Sequence, residues 1–208
     1  MNQDKKTRIV LIRHGEPLQH SGRIFLGQAD IVLSEKGKQE AKTAAEKLIE
    51  INVETETIYT SDLLRAKETA DIISKINNNV SVKEDKLFRE MDLGLWDGEL
   101  IEEIKEKFPE AYEKRGADIL NYRIPGGENF FDLKTRVTKE FWRLFTGEFA
   151  DSCSRGKSKD FVLVAHLGVI SSLVSEITLD DESAFGRGSY PTGSVTVIDA
   201  PDWMEDKI

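Results

Sequence analysis

The sequence predicts an α/β fold in which a mostly parallel sheet is sandwiched by helices, and three observations lead there. The runs Ile9-Val10-Leu11-Ile12 and Phe161-Val162-Leu163-Val164-Ala165 are too short for helices and apolar at every position, as strands buried on both faces must be. Helical periodicities alternate with strand-like runs along the chain, the order that parallel strands with helical crossovers require. Both clear strands also stop abruptly at a polar cluster, Arg13-His14-Gly15 after the first and His166 after the second, at the edge where open α/β sheets take their ligands.

Glu16 to Asp30, with Pro17, Gly22 and Gly27 and no sustained periodicity, reads as a loop folded over the end of the first strand, where Gly15 admits a ligand close to the backbone. Ser34 is the N-cap of a helix carrying Ala41, Ala44, Ala45 and Leu48 on one face and running to about Ile49. Glu56 to Thr60 forms the second strand, and Ser61 or Asp62 caps a helix reaching about Ile76, which sets Arg65 in its first turn. Asn77-Asn78-Asn79 turns the chain into a short strand from Val80 to Glu84. Leu87 to Gly98 is irregular, a helix from about Leu100 to Lys107 is ended by Pro109, and Tyr112 to Gly127 is an excursion above the sheet edge. Glu128 to about Phe149 is an amphipathic helix with Phe131, Val137, Phe141, Leu144 and Phe145 apolar. A polar loop from Ser152 to Lys159 precedes the second clear strand, and Gly168 leads into a helix from Val169 to about Ile177. Ser194 to Ile198 is the last strand, and Pro201 to Ile208 reads as a loose tail.

With 208 residues and no linker or shift of composition, residues 1–208 read as one domain around one core. A net charge of −9 argues against nonspecific binding to nucleic acid or an anionic membrane, so an anionic ligand needs a local positive pocket. No stretch approaches the roughly 20 apolar residues of a membrane span. A lone cysteine, Cys153, and an opening apolar run too short for a signal peptide point to a reducing cytoplasm.

Arg13, His14, Arg65 and His166 each follow a strand, so a parallel sheet gathers two guanidinium groups and two imidazoles at one edge. Two arginines offer bidentate hydrogen bonds to phosphoryl oxygens, and a protonated second imidazole holds a third oxygen. Such a cluster stabilises a transferring phosphoryl group without a metal ion, leaving His14 to act as nucleophile through a phosphohistidine that water later hydrolyses. Nearby arginines hold its pKa below the usual value of about 6.5 and keep it neutral. Glu90, beside Met91, Leu93 and Trp96, is the candidate general acid, its pKa raised by partial burial. Taken singly, each has an ordinary reading as a structural histidine, a solvated helix arginine or a surface carboxylate.

Together these residues resemble the histidine phosphatase superfamily, the phosphoglycerate mutase-like proteins, through nearly the whole chain. Arg13-His14-Gly15-Glu16 resembles the signature, and Leu26-Gly27-Gln28-Ala29-Asp30 with Leu33-Ser34-Glu35-Lys36-Gly37 the next block. Ser61-Asp62-Leu63-Leu64-Arg65-Ala66-Lys67-Glu68-Thr69-Ala70, the Glu90 segment with Trp96-Asp97-Gly98, Pro125-Gly126-Gly127-Glu128 and Val164-Ala165-His166 follow in the family's order. The resemblance implies a three-layer α/β/α sandwich with a mostly parallel central sheet. It implies catalysis by His14, Glu90 and His166, with Arg13, Arg65, Gly27 and Leu167 binding phosphate, and no cofactor or metal. His20 stands where many members have a phosphate-binding asparagine, and either donates to phosphate or is a solvated loop residue. Leu167 stands where glycine is frequent; its backbone N–H can still serve while its side chain narrows the pocket.

The chain is similar to the shorter phosphatase branch, which includes α-ribazole phosphatases and broad-specificity phosphomonoesterases. The expectation is therefore hydrolysis of a small phosphorylated metabolite, with mutase-type transfer or a silent phospho-ligand-binding module as alternatives. Substrate choice falls to the excursion at 87–131, where Trp96, Tyr112, Tyr122, Arg123 and Phe130 either shape a leaving-group pocket or pack in the core. Oligomeric state is left open, a homodimer included.

Overall fold

The computed structural model describes residues 6–18, 22–179, 190–205 and 207. Five strands, β1 Arg8–Arg13, β2 Thr57–Thr60, β3 Ser81–Glu84, β4 Asp160–Ala165 and β5 Val195–Asp199, form one sheet in the order β3-β2-β4-β1-β5. All neighbours are parallel except β5, which runs antiparallel to β1. Alternate side chains of the central strands serve two cores. Val10, Ile12, Ile58, Val162 and Val164 pack against Ala44, Ala45 and Leu48 of α1 (Glu35–Glu50) and Ala66, Ala70 and Ile73 of α2 (Leu64–Ile76). Ile9, Leu11, Tyr59, Phe161 and Leu163 face the other way, towards α5 (Phe130–Leu144) and α7 (Leu167–Thr178). The result is the three-layer α/β/α arrangement with a mostly parallel sheet. Among the described residues no helix is long and apolar enough to cross a membrane.

Strand register fixes where the polar residues emerge. Arg13 of β1 lies opposite Ala165 of β4, and Thr60 of β2 opposite Val164. His14, Ser61 and His166 therefore leave the sheet side by side. The His14 N–H still reaches the Ala165 carbonyl at 2.9 Å, and the Ser61 N–H the Val164 carbonyl at 3.2 Å.

Several elements differ from the sequence reading for identifiable reasons. Neither Ser61 nor Asp62 caps α2; the Leu64 N–H is taken by Asp30 Oδ1 at 2.7 Å, a cap supplied from 34 residues upstream. Pro109 ends α3 (Ile101–Lys107) but also opens α4 (Pro109–Ala117), because a helix's first residue has no N–H partner to lose. Helix α5 begins later than expected, behind an Asn129–Asp132 capping box, and buries Phe130 while Phe131 stays exposed. It continues through a wide π turn (Phe145–Phe149) into α6 (Ala150–Ser154), extending into the expected loop. The expected loose tail is packed as far as α8 (Asp202–Glu205): Met204 is buried, and Trp203 meets Trp142 at 5.6 Å between ring centroids.

Candidate active site

His14 stands one residue beyond β1 and is only 3% exposed. Its Nδ1 donates to the Gly15 carbonyl at 2.7 Å, which puts the ring proton there and leaves a lone pair on Nε2. Arg65 Nε donates to that Nε2 at 3.3 Å. Burial first, and the Arg65 charge second, push the His14 pKa down to about 3, so the ring is neutral throughout the neutral range. Burial thus does more than the arginines to which the sequence reading assigned the effect.

Arg65 is fully buried in the first turn of α2, and desolvation brings its pKa down to about 10, still far above neutrality. Besides His14, its Nη1 donates to the Ala29 carbonyl at 2.8 Å and its Nη2 to the Gly27 carbonyl at 2.6 Å. Three of a guanidinium's five N–H groups are thereby engaged, leaving two for a ligand. Arg13 is half-buried; its Nη1 donates to the Tyr190 carbonyl at 2.7 Å, and its buried Nε has no partner among the described residues.

His166 is the residue before α7, with no side-chain hydrogen bond to the helix, and its ring lies 5.1 Å from the His14 ring. It is fully buried, yet neither ring nitrogen has a partner among the described residues. Burial, reinforced by Arg65, lowers its pKa well below the usual value, so the ring is neutral in the free protein. The expectation of a protonated second imidazole is corrected accordingly: the cations that would aim it at phosphate also repel its proton. Glu90 is half-buried; its Oε1 accepts the Met91 N–H at 2.8 Å and its Oε2 the Gly168 N–H at 3.1 Å. A Cβ on residue 168 would come within 2.3 Å of Glu90 Oε1, so glycine there lets the carboxylate approach α7.

The sequence profile of the "Histidine phosphatase superfamily (branch 1)" matches residues 9–204. The chain belongs to the histidine phosphatase superfamily. It is 35% identical over 166 residues to Phosphoglycerate mutase-like protein 4 of Arabidopsis thaliana, covering 79% of this chain and 68% of that one. To Phosphoserine phosphatase 1 of Hydrogenobacter thermophilus it is 34% identical over 191 residues, covering 92% and 85%. The crystal structure of a putative alpha-ribazole-5'-P phosphatase from Escherichia coli superposes with a TM-score of 0.81 at 23% identity, covering 95% of this chain and 92% of that one, which is a likeness of fold.

In this member of the superfamily, other expected contacts fall differently. His20 lies outside the described residues. Gly27 is corrected as a phosphate ligand: its N–H donates to Asp97 Oδ1 at 2.8 Å and its carbonyl is held by Arg65, so both backbone groups are engaged inside the protein. Leu167 is the half-buried first residue of α7. The close approach at Gly15 is made by α1 rather than by a ligand, since a Cβ there would lie 2.2 Å from the Gly37 carbonyl oxygen. Trp96 and Phe130 are core, Tyr112 and Tyr122 pack against it, and Arg123 pairs with Asp132 at 2.5 Å.

Sequence reasoning passed over the residues that hold this machinery. Asp97 accepts from the N–H groups of Gly27 and Gln28 at 2.8 and 2.7 Å, fixing the loop whose carbonyls grip Arg65. Thr69 Oγ1 accepts the Gly15 N–H at 3.0 Å, tying the histidine loop to α2. Asp97 stands inside a recognisable block, and Thr69 shares a helix face with Arg65, but only the fold reveals what they hold.

Proposed function

We propose that this protein is a metal-independent phosphomonoesterase that works through a phosphohistidine on His14. The observation that carries the reading is a neutral imidazole with its lone pair on Nε2, set beside two guanidinium groups and a second buried imidazole whose nitrogens have no partner among the described residues. Arg13 and Arg65 supply two positive charges for a phosphoryl dianion, and His166 offers a ring N–H, with the α7 N-terminus at Leu167 behind it. His14 Nε2 attacks phosphorus; the bond to the ester oxygen breaks, and Glu90 gives that oxygen its proton. Water then attacks the phosphohistidine, passes its proton to Glu90 and releases inorganic phosphate. Incoming negative charge offsets the cations around His166 and favours its charged form only in the complex.

The substrate is a small phosphorylated metabolite. Among the compounds in the relatives' names, phosphoserine is favoured over α-ribazole phosphate, because the phosphoserine phosphatase shares 34% identity across most of both chains. Likeness to a mutase-like protein supports a second reading, transfer of the group to another hydroxyl. With a chelator present, the protein should hydrolyse a chromogenic phosphate ester and release phosphate from phosphoserine, and His14→Ala should lower kcat by at least about 1,000-fold. Undiminished turnover by His14→Ala removes the nucleophile assignment; phosphoglycerate interconversion without net phosphate release favours the mutase.

A further inference from the structure

Glu90 lies on a stretch between two 3-10 turns, Lys86–Phe88 and Gly94–Trp96, with no helix or strand of its own to aim it. The backbone around it is gripped from α5 by one side chain. Arg136 Nη1 donates to the carbonyls of Leu87 at 2.7 Å and Arg89 at 3.1 Å, and Nη2 to that of Glu90 at 3.4 Å. The other edge of the guanidinium meets Glu128, Nε to Oε1 at 2.9 Å and Nη2 to Oε2 at 2.7 Å. Glu128 in turn accepts the Asp92 N–H at 3.1 Å, while its own N–H donates to the Asp92 carbonyl at 2.8 Å. The clamp thus closes on the chain both before and after Glu90.

We infer that Arg136, locked by Glu128, is a positioning residue that sets the Glu90 carboxyl for proton transfer to the leaving group; this rests on the phosphomonoesterase reading. Five bonds use all five guanidinium N–H groups, so Arg136 has no donor left for phosphate and acts through Glu90 alone. Lysine cannot substitute: an ammonium has three donors at one point and cannot span three carbonyls and a carboxylate.

The test uses two esters of unequal leaving-group basicity, 4-nitrophenyl phosphate and a simple alkyl phosphate, with kcat/KM reporting the phosphorylation step. A nitrophenolate leaves with little help, whereas an alkoxide needs its proton in the transition state. Arg136→Lys should lower kcat/KM for the alkyl ester by about 10- to 100-fold while changing the aryl ester less than about threefold. In a Glu90→Gln background the same substitution should cost nothing further on the alkyl ester, because its route of action is gone. Equal losses on both esters, or additive losses in the double variant, overturn the inference. If Arg136→Lys melts early, Glu128→Gln, which loosens the clamp with little change of shape, should show the same selectivity, and equal losses from it count against the clamp. Failure of the underlying reading looks different: Glu90→Gln then shows no ester selectivity, or His14→Ala stays active.

Discussion

His14 has one nitrogen tied to the Gly15 carbonyl and the other facing a guanidinium, and its burial has a thermodynamic consequence. Its folded pKa, about 3, lies below the ordinary value, and that of His166 shifts in the same direction. The unfolded chain therefore binds protons that the folded chain refuses once pH falls below about 6.5, so stability from these rings is complete above that value and is lost as pH falls below it, in the case of His14 towards about pH 3. Replacing His14 by Gln should flatten the dependence of unfolding free energy on pH, by at most about 1.4 kcal/mol per unit between about pH 6 and pH 4. Urea titrations of the two proteins across that range make the comparison; parallel curves would show that the ring is not buried neutral. At this scale the sequence was informative where side chain and strand end coincide, as at His14 and His166. It was silent where a polar residue acts through backbone: Asp97 and Arg136 look like surface charges until the carbonyls and amides they hold are known.

At the scale of elements, the site depends on loops being fastened to helix ends. Residues 26–33 are held by Asp97, by Asp30 capping α2, and by Glu68 Oε2 accepting the Leu33 N–H at 2.8 Å. Asp30→Ala should destabilise the protein by about 1 kcal/mol, the usual cost of a lost cap. Because Arg65 is the next residue after the capped amide, kcat/KM should fall as well. Denaturant midpoints and steady-state kinetics read the two effects, and an unchanged midpoint would deny the cap its role. This tie was illegible in sequence, where Ser61 and Asp62 are nearer candidates; Ser61 Oγ instead accepts from Leu63 at 3.3 Å. By contrast, the Ser34 cap of α1 was readable, since its partner Gly37 is local.

Across the whole molecule, apolar periodicity sufficed to order the central strands and their flanking helices, because burial on both faces leaves a continuous signature. It failed at the C-terminus, where Met204 is packed within a short, mostly polar stretch. Met204→Ala should cost about 2–5 kcal/mol, measured by thermal or denaturant unfolding, whereas a loose tail would tolerate it.

The strand that carries His14 is made first, yet its two neighbours are β4 and β5, both from the last third of the chain. Such distant pairing is slow to form and cannot begin before those segments exist. A nascent chain that has emerged only as far as α5 holds the nucleophile without the strand that aims it or the second imidazole beside it. The proposed chemistry therefore waits until β4, His166 and β5 have been made, and a chain that stops short of them carries the reactive ring in an unarmed form.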